Sequence, residues 1–365
     1  MKISSPLVTA IIATYQRPQW LQRAVRSVLV QSFPHLQVLI ADNASGPATD
    51  EVVGKFMQQD ARVKVIKHPV NLGMTANFQT ALMQVTTPYV CFLPDDDFLG
   101  PSFFEEALPF FERYPDIAAC GGGGLIINQD FEVSSILNQG QTIPAPGYYP
   151  PPRGLFAYLR SSFGITFPGL LFKTDIVKQL GGFDLRIRIG IDEDLVSQCF
   201  AKFPVYLLTD HPCYFGFQHA ASLSRITKDF ALYEDECLIF HEKLKQIPLC
   251  PEEQQEIDQF FQSRRLKIVS SAYHSYCQNK EFKKAYAEAN KLQRVYPSRK
   301  WKRKKNHAKL CQYWPKFHDL YQTLKVFEQR LRGKKQAKSS GSASVVAHPD
   351  VEKWRAYALS LEAPN

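Results

Sequence analysis

The sequence predicts an α/β fold with a mostly parallel central sheet flanked by helices, followed by a C-terminal helical region. Short apolar runs rich in β-branched residues alternate with amphipathic stretches through the first hundred residues, an order that is typical of parallel sheets. After about residue 230, apolar side chains recur almost wholly at helical spacing. The chain has 365 residues, more than one usual domain, so we expect one α/β domain and a smaller addition.

Residues 7–13 form an apolar, β-branched run that suits a strand buried on both faces. Pro18 fits the first turn of the helix that follows, and residues 38–41 read as the second strand. The alternation then continues with predicted helices over 48–59, 74–85 and 101–114 and predicted strands over 63–66, 89–93 and 167–172. The glycines at 121–124 lack the spacing of a phosphate loop, and we interpret them as close backbone packing or a turn.

The C-terminal part is predicted to be helical over 231–246, 252–277 and 281–295. Residues 333–348 are rich in Lys, Gly and Ser, a composition typical of flexible linkers. The expected organisation is an α/β domain over 1–230, a basic helical region over 231–332, a linker over 333–348 and a short helix or tail over 349–365.

The formal net charge of +9 comes entirely from the residues after 230. The densest basic run is 299–305, which predicts peripheral contact with an acidic membrane surface; a solvated helix face is the alternative. The run contains no recognisable groove-reading or base-stacking motif, so nucleic acid is not an expected partner.

Eight cysteines are scattered along the chain without any Cys-x-x-Cys pair, which argues against a zinc site. The N-terminal apolar run is short for a secretory signal, and no stretch reaches the roughly 18 apolar residues of a membrane span. We therefore expect a cytoplasmic protein with free thiols, with a peripheral position at the inner membrane face if the basic run binds lipid.

Three consecutive carboxylates, Asp95, Asp96 and Asp97, directly follow the strand predicted at 89–93. Their mutual repulsion favours a hard, oxygen-seeking cation such as Mg²⁺ or Mn²⁺ shared with substrate phosphates. In extended backbone Asp95 and Asp97 would converge while Asp96 turns aside. A solvated acidic turn or an N-cap for the helix at 101–114 are the alternatives. Because ligands bind at the carboxyl ends of parallel strands, we expect Thr14–Arg17 and Asp42 on the same rim.

Five segments of the chain, in order, resemble family 2 glycosyltransferases over residues 5–225. They are Val8–Pro18, Leu39–Ser45, Asn71–Asn77, the acidic triplet, and Gly181–Asp184 with the later Asp192–Leu195. The resemblance implies a GT-A type, Rossmann-like sheet, a nucleotide-sugar donor and an Asp-x-Asp metal motif. Pro94 stands where many members have the first acid of that motif, which leaves the assignment of individual carboxylates to ribose and metal open.

The resemblance also implies roles for single residues. Asp194, with its neighbour Glu193, is expected to be the catalytic base, although helix capping is the alternative for these acids. The residues implied in nucleotide-sugar binding are Thr14, Tyr15, Arg17, Asp42, Asn71, Asn77, Asp95, Asp96 and Arg225. The implied ligands of Mn²⁺ or Mg²⁺ are Asp97, Asp95 and His219, and His219 has a purely structural role as its alternative.

The expected activity is inverting, metal-dependent sugar transfer from a UDP-type donor to a glycan, lipid-linked or protein acceptor. Family members often serve in surface polysaccharide, glycolipid or glycoprotein biosynthesis. One rival is a nucleotidyltransferase, but such enzymes open with a Gly-rich loop that Thr14–Arg17 lacks. Another rival is a binding module whose α/β part is catalytically dead. Release of nucleoside diphosphate with and without Mn²⁺ distinguishes these hypotheses.

Overall fold

The computed structural model describes residues 5–136, 144–161, 165–210, 212–219, 229–295, 297–313, 315, 318–319 and 350–362. The chain divides into two compact units. The first comprises Met1–Ile226, Gln246–Leu249 and Val345–Asn365, and the second comprises Thr227–Lys245 and Cys250–Ser344. The predicted linker at 333–348 and the candidate residue Arg225 lie outside the described residues.

The strands belong to the first unit: β1 (Val8–Thr14), β2 (Leu36–Asp42), β3 (Val63–Lys67), β4 (Tyr89–Pro94), β5 (Phe98–Leu99), β6 (Ala119–Gly122), β7 (Gly124–Ile127), β8 (Val133–Ile136), β9 (Gly147–Tyr149), β10 (Leu170–Lys173), β11 (Val205–Leu208) and β12 (Tyr214–Phe217). The helices are α1 (Pro18–Leu29), α2 (Pro47–Gln59), α3 (Met74–Gln84), α4 (Phe103–Arg113), α5 (Arg153–Arg160), α6 (Thr174–Gln179), α7 (Ile191–Lys202), α8 (Phe230–Lys245), α9 (Pro251–Gln278), α10 (Phe282–Val295), α11 (Arg299–Tyr313) and α12 (Val351–Ser360).

The main sheet confirms the predicted fold class. Among the described residues its strand order is β3-β2-β1-β4-β10-β6-β11-β9. The pairs β3–β2, β2–β1 and β1–β4 are all parallel. Every residue of β1 and β2 is buried, as their continuous apolar runs predict. Helix α1 begins at Pro18 and packs its apolar stripe of Leu21, Ala24, Val25 and Val28 into the core.

Two features of the sheets were not predicted. Strand β10 runs antiparallel to both β4 and β6. A second sheet of order β5-β12-β7-β8 forms among the described residues, and its short strand β5 begins directly after the acidic triplet. The chain passes between the two sheets at the glycine run. There Gly121 has φ +135°, and a Cβ atom would lie 2.1 Å from the carbonyl oxygen of Gly169, so the interpretation as close backbone packing is confirmed.

The second unit contains the predicted helices α8 to α10 and also α11. Glu234 on α8 is buried and pairs with Arg265 of α9 at 3.1 Å and with Lys291 of α10. Burial opposes the charge of Glu234, but the two cations outweigh it and lower its pKa. The Glu234 carboxylate therefore connects helices α8, α9 and α10 through ion pairs. None of the helices in the described part of the chain combines the length and the apolar character of a membrane span.

Candidate active site

The carboxyl ends of β1 and β4 bring the first polar residues together. The two strands are parallel neighbours, with Ala13 opposite Pro94, so the residues that follow them share one rim. The Thr14 hydroxyl donates a hydrogen bond to Asp95 Oδ2 at 2.8 Å. Arg17 Nη1 lies 3.3 Å from both Asp95 Oδ1 and Asp96 Oδ2. A hydroxyl and a guanidinium, both predicted to bind the donor, therefore meet the acidic triplet directly.

The triplet itself forms a turn rather than an extended strand. The Asp97 N–H donates to the Pro94 carbonyl at 3.2 Å, which closes the turn. The prediction that Asp95 and Asp97 converge while Asp96 turns aside assumed extended backbone and is wrong for this turn. Asp95 and Asp96 instead both contact Arg17. Asp97 Oδ1 instead accepts a hydrogen bond from the Phe217 N–H of β12 at 3.0 Å, so the second sheet holds the third carboxylate.

His219, two residues beyond β12, reaches the same cluster. Its Nε2 lies 3.0 Å from Asp96 Oδ2, and its side chain is buried. The Trp20 ring packs against the imidazole with 3.9 Å between ring centroids. The structure thus brings His219 to the acidic triplet. Its contact is with Asp96, however, and not with Asp95 or Asp97, the carboxylates predicted to bind the metal together with it.

The surroundings strongly disfavour negative charge on two of the carboxylates. Burial, followed by the charge of Asp96, raises the pKa of Asp95 to about 7 despite the opposing effects of Arg17 and Thr14. Burial and the Asp96 charge also raise the pKa of Asp97 well above its usual range, against the Phe217 N–H and the Arg23 cation. Perturbed carboxyl groups crowded in this way are typical of functional sites. A bound cation would relieve the repulsion.

The ligand atoms of the triplet and His219 do not form a group of three within 4.8 Å of one another in the described part of the chain. A cation bound by three of these side chains would therefore require them to move closer together, and water and substrate oxygens would complete its shell. That is the usual mode of Mg²⁺ binding at phosphate sites. The oxygen-rich donor set, with a single imidazole beside it, fits Mn²⁺ or Mg²⁺.

A second polar group lies at the ends of β2 and β3. Asp42 is buried, and its Oδ1 accepts the Ser45 N–H at 2.9 Å. The Asn43 amide donates to Asn71 Oδ1 at 2.8 Å, and the Asn43 N–H donates to the Thr14 carbonyl at 3.0 Å. This group is therefore continuous with the Thr14 end of the acidic cluster.

Two other predicted donor-binding residues differ sharply in exposure. Tyr15 is 40% exposed beside this rim, so its ring is accessible to a ligand. Asn77 is buried, and its amide donates to the Ala41 carbonyl of β2 at 2.8 Å. Asn77 thus binds the backbone near the end of β2, a contact that could not be predicted from the sequence.

Asp194 and Glu193 lie in the first turn of α7, where Asp194 is buried and Glu193 is partly exposed. Helix α7 packs against the 3₁₀ turn Phe167–Gly169, and this turn packs against β4 and β5 on either side of the triplet. Burial and the charges of Asp97 and Asp192 raise the pKa of Tyr214, so Tyr214 lies within electrostatic reach of both acids. The start of α7 is therefore linked to the strands on either side of the triplet through the 3₁₀ turn, and Tyr214 is influenced by acids of both segments.

The Gly181–Asp184 segment is fixed by α3. Gln79 Oε1 accepts the Phe183 N–H at 2.8 Å, and the Gln79 amide donates to the Gly181 carbonyl at 3.2 Å. The Phe183 ring packs with Phe78, Phe92 and Phe167 at centroid distances of 5.0 to 6.3 Å. The Thr75 hydroxyl donates to the Ile187 carbonyl at 2.5 Å. These contacts position the loop that leads into α7.

Arg23 is a site residue that the sequence reasoning missed. It is 2% exposed, its Nη2 donates to the Asp96 carbonyl at 3.0 Å, and its guanidinium lies 3.8 Å from the Phe217 ring centroid. Burial lowers the pKa of Arg23, whereas Glu362, Asp97 and Asp96 oppose that effect. The helical periodicity gave no signal, because Arg23 lies on the face of α1 opposite the apolar stripe of Leu21, Ala24, Val25 and Val28, where a cation is normally expected in solvent.

Comparison with known proteins gives a consistent assignment. The model of the family named Glycosyl transferase family 2 matches residues 9–181. An uncharacterized glycosyltransferase of Methanocaldococcus jannaschii is 23% identical over 207 residues, which cover 55% of this chain and 67% of the relative. The putative teichuronic acid biosynthesis glycosyltransferase TuaG of Bacillus subtilis is 31% identical over 105 residues, covering 29% of this chain and 42% of the relative.

Several other curated relatives are also matched over less than half of their own length. Among solved structures, S. aureus TarS 1-349 in complex with UDP-GlcNAc superimposes with a TM-score of 0.59 at 16% identity. The match covers 78% of this chain and 80% of that one, and it shows a common fold. The family match at residues 9–181 lies within the first unit, and with the sheet order and the shared fold these findings support a glycosyltransferase of family 2 with the GT-A fold.

Proposed function

We propose that this protein transfers a sugar from a nucleoside-diphosphate sugar, of the UDP type, to an acceptor hydroxyl with inversion at the anomeric carbon. The observation that carries the proposal is the meeting of Thr14, Arg17, His219 and the acidic triplet at the carboxyl ends of β1 and β4. Ligands of open α/β sheets bind at this rim. The cluster offers both cationic and acidic groups to a diphosphate and its counter-ion.

The donor's nucleoside fits the group at the ends of β1 and β2. The exposed Tyr15 ring offers a stacking surface for the base, and Asp42 is assigned as the acceptor for a base N–H. Asn71 and the Arg17 guanidinium are assigned to the ribose and phosphates, and Arg225 to the diphosphate. The TarS structures bound to UDP and to UDP-GlcNAc support a donor of this class.

Asp97, Asp95 and His219 are the proposed ligands of Mn²⁺ or Mg²⁺, which supplies positive charge against the leaving diphosphate. Arg17 adds a second positive charge beside Asp95 and Asp96, and it can turn toward phosphate oxygens when a cation takes its place at the carboxylates. The hydrogen bonds from Thr14 to Asp95 and from Phe217 to Asp97 hold the carboxylates in place.

Asp194 is the proposed base. It accepts the proton of the acceptor hydroxyl as that oxygen attacks the anomeric carbon on the face opposite the diphosphate. Inversion by single displacement needs one base and no covalent intermediate. Glu193, partly exposed beside it in the first turn of α7, is assigned to the acceptor side of the same pocket.

The acceptor is proposed to be a glycan, a lipid-linked sugar or a protein, in the synthesis of a surface polysaccharide, glycolipid or glycoprotein. The name of TuaG, a teichuronic acid biosynthesis glycosyltransferase, supports a polysaccharide. The basic run at 299–305 lies on α11, where Arg299, Lys300, Lys302 and Arg303 are exposed, and this face supports contact with an acidic membrane surface. Co-sedimentation with anionic but not neutral vesicles tests that contact.

The function is tested by incubating the purified chain with a panel of nucleotide sugars and measuring released nucleoside diphosphate, with and without Mn²⁺ or Mg²⁺. We expect metal-dependent release from at least one donor. Asp97→Asn is expected to lower the rate by at least about a hundredfold, because loss of one charge-stabilising group commonly costs that much. Circular dichroism checks that the variant keeps its fold.

Asp175→Asn, which removes an exposed acid at the start of α6, is the matched control and is expected to retain full activity. Unchanged release by Asp97→Asn would refute the metal assignment. Release of pyrophosphate from nucleoside triphosphates would indicate a nucleotidyltransferase instead, and no release from any substrate would favour a binding module.

A further inference from the structure

The helical unit contains three metal-ligating side chains that the proposed reaction does not use. His307 and Cys311 lie one turn apart on α11, and His318 follows five residues after the end of that helix. One ligand atom from each of the three lies within 4.8 Å of those of the other two. Three soft or borderline donors therefore converge on one point inside this unit.

The distance between two of the donor atoms matches that of a metal site. His307 Nε2 lies 3.5 Å from Cys311 Sγ. A tetrahedral Zn²⁺ with bonds of roughly 2.0 Å to nitrogen and 2.3 Å to sulfur separates those two ligands by about 3.5 Å. The same distance suits a thiol hydrogen bond to an imidazole, so the pair alone does not decide. The third donor, His318, favours a metal, because its ring lies 5.4 Å from that of His307.

Tyr273 of α9 contacts His307. The Tyr273 hydroxyl donates to the Lys304 carbonyl at 3.2 Å and lies 3.1 Å from His307 Nδ1. In the tautomer that carries its proton on Nδ1, the imidazole donates to this hydroxyl and Nε2 presents its lone pair to Cys311. A ligating histidine whose other ring nitrogen donates to a neighbouring oxygen is the usual arrangement at metal sites.

Two of the three side chains are buried within the protein. Cys311 is fully buried and His318 is 6% exposed, whereas His307 is partly exposed. The Phe282 ring packs against the His318 ring at 5.3 Å. Ligands that are fixed by packing in this way support metal binding.

We propose that His307, Cys311 and His318 bind a divalent cation of the zinc class, with the fourth coordination position filled by water. Cys311 binds as a thiolate and its proton passes to solvent. A thiolate and two imidazoles select Zn²⁺ over the oxygen-seeking Mn²⁺ and Mg²⁺, so the cation differs from the one proposed at the acidic triplet. The absence of Cys-x-x-Cys pairs argued against a zinc site in the sequence analysis. The proposed ligands have the spacing His-x₃-Cys-x₆-His, in which the first two lie one helical turn apart on α11 and the third lies in the segment after that helix.

The proposal is tested by adding Co²⁺ to the full-length, chelator-treated chain and recording its absorption spectrum. We expect one equivalent of Co²⁺ to give a thiolate-to-cobalt charge-transfer band together with the intense visible bands of tetrahedral coordination, and Zn²⁺ to displace it. The charge-transfer band reports only a sulfur ligand. It therefore separates this site from the oxygen ligands of the triplet, and it should persist in Asp97→Asn. A wild-type chain without this band would overturn the proposal.

Variants identify the ligands. Cys311→Ser is expected to abolish the charge-transfer band, and His318→Ala to weaken Co²⁺ binding by at least about tenfold. The matched control is Cys237→Ala, which removes another buried thiol of the same unit and should leave the spectrum unchanged. Circular dichroism verifies that each variant is folded. A band that survives Cys311→Ser, or that disappears in Cys237→Ala, would contradict the assignment.

Discussion

Asp95 combines deep burial with a cluster of charged and polar partners. Its carboxyl group is held by Thr14 and Arg17, yet burial and Asp96 disfavour its ionised form. A site built to receive a cation commonly carries such a cost until the cation is bound. The stability of the chain should therefore depend on pH and on metal in a defined direction.

Asp95→Asn is expected to flatten the pH dependence of stability. Asp95 has a pKa of about 7 in the folded chain against an ordinary 3.8, so between these values the folded state binds more protons than the unfolded state. Protonation of Asp95 therefore stabilises the folded state by up to about 4 kcal/mol. This stabilisation is fully present below about pH 4 and is lost as pH rises through 7. Urea unfolding without metal should thus show a less stable wild type at pH 8 than at pH 5, and a smaller difference in Asp95→Asn.

Asp60→Asn provides the control of opposite sign. Its hydrogen bonds with Arg62 lower the pKa of Asp60, so that carboxylate contributes stability at neutral pH, which is lost as pH falls below its usual range. Mn²⁺ should restore stability to the wild type at pH 8. Identical pH profiles for the wild type and Asp95→Asn would contradict the raised pKa of Asp95.

The loop between α6 and α7 illustrates how a short motif acts through backbone geometry. Gly181 and Gly182 both have positive φ, at +91° and +69°. The two differ in their surroundings. A Cβ atom on Gly182 would lie 2.2 Å from Gln79 Oε1, whereas nothing lies within 4 Å of one on Gly181. The motif thus needs its second glycine for space as well as for conformation.

Gly182→Ala is expected to lower the free energy of unfolding by about 2 to 3 kcal/mol, because backbone strain adds to displacement of Gln79. Gly181→Ala carries the strain alone and should cost about 1 kcal/mol. The difference between the two variants, measured by urea unfolding, isolates the contacts with Gln79 and with Leu82, whose Cδ2 would lie 2.8 Å from the added Cβ atom. Sugar transfer should also fall in Gly182→Ala, since this loop leads into the helix that carries Asp194. Equal losses in the two variants would disprove the role of Gln79.

Much of the first unit could be predicted from the sequence, because β1 to β4 and α1 to α3 follow each other in regular alternation. The short strands β5, β7, β8 and β12 could not. Each has two to four residues. Strands β5 and β7 pair with β12, which is distant in sequence, and β8 joins the sheet only through β7 with an irregular register. Similarly, the acid at 97 was identified from its motif, but its contact with the Phe217 N–H depends on an unpredicted strand. Arg23 was not predicted as a site residue because its partners, the Asp96 carbonyl and Glu362, lie 73 and 339 residues away in sequence.

The two ends of the described chain meet within the first unit. Arg23 and Arg26 of α1 contact Glu362 and the Leu361 carbonyl at 3.3 and 2.9 Å. Helix α12 packs Tyr357 against Phe98 and Phe215, and the Tyr357 hydroxyl donates to the Leu99 carbonyl at 2.8 Å. The final helix thus covers β5, which begins immediately after the acidic triplet, and the second unit is an insertion between two parts of the first.

Tyr357→Ala tests whether this return of the chain stabilises the catalytic unit. Loss of a ring packed against the stacked pair Phe98 and Phe215 should lower the free energy of unfolding of the first unit by about 3 kcal/mol. Tyr357→Phe keeps the ring and removes only the hydrogen bond to Leu99, so it should cost about 1 kcal/mol. Tyr313→Ala removes a side chain that is 81% exposed and should cost less than about 0.5 kcal/mol. Thermal or urea unfolding of the three full-length variants measures this order. If Tyr357→Ala were as stable as Tyr313→Ala, packing of Tyr357 on α12 would not contribute to the stability of the first unit.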